Sequence, residues 1–72
     1  MTEDYSYVED MANALNDAVQ RATSREQAEK LLNERGPVIV RAVADLNHLE
    51  FDAARPRKET MIRAILNERF GV

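Results

Sequence analysis

The stretch PVIVRAVADLN, residues 37–47, decides the fold class. Its VIV is β-branched and has the composition of a short strand. A lone strand leaves its backbone N–H and C=O groups unpaired, and no second strong strand stands elsewhere in the chain. At helical spacing, Ile39, Val43 and Leu46 fall on one face. Pro37 suits a helix start, where its missing N–H is not needed. The stretch therefore reads as a helix, and the chain is predicted to be all-α.

Toward the N-terminus, Gly36 is expected as the C′ residue of a preceding helix, where it accepts a left-handed conformation without a Cβ penalty. That helix has Thr23 or Ser24 as its cap, with Glu26 or Gln27, respectively, three residues on. Ala28, Leu31 and Leu32 face inward, and Glu26 pairs with Lys30 outside. Further upstream, Ser6 and Glu9 have capping-box spacing. Behind them Val8, Met11, Ala12, Leu15, Ala18, Val19 and Ala22 make one apolar stripe, which predicts a first helix over 6–22. Asp17 and Arg21 form an i,i+4 pair on its outer side. The two helices make a hairpin over 6–35. The stripe over 8–22 is longer than one short hairpin covers, so it is expected to pack on the last helix or on a second copy in a homodimer.

Toward the C-terminus the helical pattern breaks over 48–57. Leu49 and Phe51 alternate with Glu50 and Asp52 as an extended segment does, and Pro56 biases Arg55 away from the α region. A last helix follows, with Met61, Ile62, Ile65, Leu66 and Phe70 inward and Gly71 as its stop. The predicted architecture is four short helices in a single small domain over 1–72. An N-terminal helical hairpin precedes a helix–extended-loop–helix unit over 37–70.

Composition agrees with this reading. The chain has 72 residues, two Gly, two Pro and no Cys, which is helix-forming composition without disulfides or thiolate-held metal. A chain of this length buries only about 60–65% of its unfolded surface, so its core is thin. The opening MTEDYSYVEDMA is acidic and lacks a basic-then-apolar leader. No apolar run approaches the roughly 18 residues of a membrane span. The expectation is a cytoplasmic protein without a membrane partner. The formal charge of −3 is uneven: residues 1–34 carry a net −5 and residues 35–72 a net +2.

Residues 38–70, VIVRAVADLNHLEFDAARPRKETMIRAILNERF, resemble the helix–extended-loop–helix group that includes SAP, LEM and Rho N-terminal modules. RKETMIRAIL carries most of the likeness: a basic residue, a short polar gap, then an aliphatic run, here Lys58, Met61, Ile62, Ile65 and Leu66. VRAVADL is similar to the first helix of that group. The glycine often found after that helix is replaced by Asn47 and His48, and Asn47 is expected to take the left-handed position. The resemblance implies a non-catalytic binding module. SAP and Rho N-terminal members contact nucleic acid, and LEM members bind a protein.

Candidate chemistry narrows in the same direction. His48 is the only histidine, with Asp45 and Asp52 near it in sequence, and reads as a loop residue rather than a base or metal ligand. Ser6 and Ser24 sit where caps are needed, so neither reads as a nucleophile. There is no Gly-rich phosphate loop and no calcium-loop pattern, so no cofactor, metal or catalytic residue is expected. Arg55, Arg57 and Lys58 stand at the start of the last helix, where free amides also receive phosphate; Arg41 and Arg63 are placed as possible additions. Basic residues there oppose the helix macrodipole, which favours a role beyond solvation. DNA or RNA is the first expected partner. The alternative is a protein–protein interaction module, or a small inhibitor or adaptor, acting through the acidic hairpin with Tyr5 and Tyr7 as anchors.

Overall fold

The computed structural model describes residues 6–71, apart from the side chain of Ser6. Four helices follow one another: α1 (Ser6–Arg21), α2 (Arg25–Asn33), α3 (Pro37–Leu46) and α4 (Lys58–Phe70). No strand occurs among the described residues. The all-α expectation holds, and Val38, Ile39 and Val40 lie in helix behind Pro37. Magnitudes explain why. A β-branched residue in a helix costs about 0.5 kcal/mol relative to alanine. Burying it fully contributes about 1.5–3 kcal/mol, and Ile39, Val40 and Val43 are all buried.

The helix ends show how local chemistry sets the segment boundaries. Ser24 caps α2, its hydroxyl accepting the Gln27 N–H at 3.1 Å. The Gln27 side chain accepts in return from the Thr23 N–H, so free donors are satisfied on both sides of the cap. The Ser6–Glu9 capping box expected for α1 lies outside the described residues. Gly36 departs from expectation. It is not left-handed but extended, at φ −74° and ψ 169°, and acts as the N-cap of α3. Pro37 is the reason, because the residue before a proline is pushed toward the extended region. The last turn of α2 closes instead through Arg35 N–H to Leu32 O, at 3.2 Å.

The end of α3 also departs from expectation. Asn47 sits at φ −95°, and the left-handed residue is His48 at φ 58°. Leu49 N–H donates to Ala44 O and His48 N–H to Asp45 O, each at 3.0 Å. These two bonds form a Schellman motif with His48 at C′. Asn47 uses its side chain, donating to Val43 O at 2.8 Å and to Asn16 Oδ1 of α1 at 3.1 Å. At the other end of the chain Gly71 stops α4 at φ 86°, as predicted.

The core joins Ala12, Leu15, Val19 and Ala22 of the first helix and its end to Ala28 and Leu32, to Ile39, Val40, Val43 and Ala44, and to Met61, Ile62, Ile65 and Leu66. Phe70 is only half-buried against it, as are Leu49 and Phe51 from the irregular segment between α3 and α4. The stripe of α1 packs chiefly on α3 and secondarily on α2, rather than on the last helix, so it is consumed within the chain. Leu46, expected in the core, is 42% exposed. At about 100° per residue, Ile39, Val40, Val43 and Ala44 span an arc centred well away from it.

Long cations tie the helices at their ends. Arg69 donates twice to Gln20 O near the C-terminus of α1, at 3.0 and 3.2 Å. Arg25 at the start of α2 donates to Gly71 O at 3.0 Å and to Asn67 Oδ1. Lys58 at the start of α4 donates to Asn33 O at the end of α2, at 2.9 Å. The last two sets of bonds join opposite ends, so α2 and α4 run antiparallel. Each places a positive charge by the electronegative end of a helix, where it is favourable.

Candidate binding surfaces

The start of α4 holds the cations expected to bind. Arg57 is its N-cap, extended at φ −68° and ψ 149°, with no side-chain cap on the first amides. Arg55 and Arg57 are exposed. Among the described residues the ion pairs are Arg21–Asp17, at 3.3 Å, and Arg41–Asp45, at 3.5 Å, so neither arginine has a carboxylate within 4 Å. Both line an open depression of about 510 Å³, but Glu50 and Asp52 line it too. The field there is mixed rather than purely positive.

The other three expected cations are placed elsewhere. Lys58 is half-buried and spent on Asn33 O. Its charge at the head of α4 is offset by the C-terminus of α2, so the macrodipole conflict that suggested a binding role is met inside the fold. Arg41 is a loop clamp. Its Nη1 donates to Ala54 O at 3.4 Å, its Nε lies by Asp45, and its guanidinium sits 5.8 Å from the centre of the Phe51 ring. Arg63 is exposed on a separate depression of about 280 Å³ between α2 and α4, whose rim includes Glu29 and Glu59. The structure thus brings Arg55 and Arg57 together at one depression, sets Arg41 beside Arg55 on another, and leaves Lys58 and Arg63 apart from them. The expected outer pair of Glu26 and Lys30 is absent among the described residues, whereas that of Asp17 and Arg21 forms.

Tyr5 lies outside the described residues. Tyr7 is 61% exposed and does not pack down over the start of α1. His48 serves the backbone turn and is exposed. Among the described residues no polar or charged side chain is buried and no group of three metal-ligating residues comes together. Among the described residues no helix is long and apolar enough to cross a membrane.

A surface that sequence reasoning missed runs along α3. Val38 is 64% exposed and Leu46 42%, and half-buried Ala42 stands between them at i,i+4 spacing from each. These residues follow one another by about 40° round the helix, forming a ridge beside the buried arc. At one end, Val38 lines a mainly apolar depression with Pro37, Ala54, Pro56 and Met61, whose lining also includes Arg41 and Arg55. At the other, Ala42 and Leu46 line a groove against α1. The signal was in the composition of α3, where apolar residues occupy most of the circumference. A helix packed on one side in so small a domain cannot bury all of them.

Comparison with protein-family models, with curated proteins and with solved structures gives no match for this chain.

Proposed function

We propose that the protein is a non-catalytic protein-interaction module whose contact surface is the Val38, Ala42 and Leu46 ridge of α3. The supporting observation is that, among the described residues, two of the three exposed large apolar side chains share this one ridge. Covering them contributes about 25 cal/mol for each Å² of apolar surface removed from water. The resemblance of residues 38–70 to helix–extended-loop–helix modules, whose LEM members bind a protein, supports the same reading. The test is capture from a lysate of the source organism with wild type, Val38→Ser/Leu46→Ser and Arg55→Ala/Arg57→Ala. A partner should be lost from the ridge variant and kept by the arginine variant. A capture profile indifferent to the ridge substitutions refutes the reading.

A second reading, DNA or RNA binding, rests on Arg55 and Arg57, exposed beside the uncapped start of α4 without a carboxylate within 4 Å among the described residues. Magnitude sets it second. Two phosphate contacts give a log–log salt slope of only about −2, against contacts numbering about six to ten in strong binders. Glu50 and Asp52 weaken it further. Titrating labelled duplex and single strand at low and moderate salt separates the readings. Binding at low salt that Arg55→Ala/Arg57→Ala abolishes establishes the second one. Lys58 stays unmutated there because it holds α2.

A further inference from the structure

We infer that the groove between α1 and α3 receives a basic amphipathic helix of a partner protein. The inference rests on the protein-interaction reading and names the partner by its chemistry. The groove, of about 270 Å³, is lined by Glu9, Ala12 and Asn13 of α1 and by Ala42, Asp45 and Leu46 of α3. Its floor is Ala12 and Ala42, small enough to leave a trough that an aliphatic side chain can enter. Leu46 forms an apolar wall.

Charge selects the occupant. Glu9 stands on one side of the trough and Asp45 on the other, and no cation lines it. Glu9 has no cation within 4 Å among the described residues, and Asp45 is held only loosely, 3.5 Å from Arg41 Nε with its side chain 63% exposed. Before Arg21, α1 carries Glu9, Asp10 and Asp17 and no base. An aliphatic anchor flanked by Lys or Arg meets both the trough and its rim. A helix is the fitting shape, because the i,i+4 ridge beside the groove is what a second helix packs against. A second copy of this chain does not supply such a helix. The exposed ridge of α3 has Arg41 as the one base on its helix, already beside Asp45, and of the bases on α4, Lys58 and Arg69 are tied to neighbouring helices.

The probe is a fluorescein-labelled helical peptide of about 14 residues, long enough to form helix on binding. Its leucines stand at i,i+4 spacing with lysines flanking them, and a counterpart carries glutamate in place of lysine. Anisotropy should show saturable binding of the lysine peptide and none of the glutamate peptide. Amide shifts should concentrate on Glu9, Ala12, Asn13, Ala42, Asp45 and Leu46. Glu9→Lys and Leu46→Lys should each weaken binding about tenfold, as losing a complementary charge or an anchor does. Glu26→Lys makes the same charge change away from the groove and should leave affinity within about twofold. The inference is overturned by no saturable binding, by shifts centred elsewhere, or by equal loss in Glu26→Lys. Concentration-dependent self-association of the free chain that Leu46→Lys removes would overturn it in favour of a second copy. If lysate capture depends on Val38 and Leu46 while the lysine peptide fails, the basic-helix inference falls and the protein-interaction reading stands.

Discussion

His48 carries the main backbone strain among the described non-glycine residues, at φ 58°. An L-residue with a Cβ pays about 1–2 kcal/mol in that region, and glycine does not. His48→Gly should therefore raise stability by about 1 kcal/mol, after the added freedom of glycine in the unfolded chain is subtracted. In a domain of this size that is about 4–8 °C in Tm, read by a thermal melt followed by circular dichroism. An unchanged or lowered Tm would mean that the imidazole makes a compensating contact. The missing glycine was legible in the sequence, but the residue that replaces it was not. Asn47 is the better left-handed residue by type, yet α3 runs to Leu46, which makes Asn47 the C-cap and His48 the C′ residue. A helix end is fixed to within one residue only when its capping bonds form.

At the scale of elements, the stripe of α1, the Ser24 cap of α2, Pro37 at the head of α3 and Gly71 at the end of α4 all follow from local spacing. Gly36 did not, because two local rules competed for it. Glycine suits a left-handed stop, and the residue before proline is driven extended; the second rule prevails. The outcome leaves α3 without a side-chain cap, at a position where an added Cβ meets nothing within 4 Å. Gly36→Asp should therefore stabilise by about 0.5–1 kcal/mol, through a cap on the first amides and a less flexible unfolded chain. Urea denaturation would show this as a higher midpoint at unchanged slope. A midpoint that falls would place Gly36 in a conformation an aspartate cannot share.

At the scale of the whole molecule, the basic start of α4 divides into cations with different roles. Lys58 closes the C-terminus of α2, whereas Arg57 faces solvent at a helix start that repels it. Lys58→Ala should cost about 0.5–1 kcal/mol, and Arg57→Ala should be neutral or slightly stabilising. Equal losses in paired thermal melts would show that the two are not distinguished in this way. What the sequence by itself determined was the set of four helices, the Ser24 cap, the Pro37 start, the Gly71 stop and the greater part of the buried faces. Those depend on periodicity and on residues within about one turn of each other. Only the tertiary structure decided which cations stay free and which apolar residues stay uncovered. Lys58 meets Asn33, Arg69 meets Gln20 and Leu46 meets open solvent because of how separate helices come together. No local rule sees a partner that lies tens of residues away along the chain.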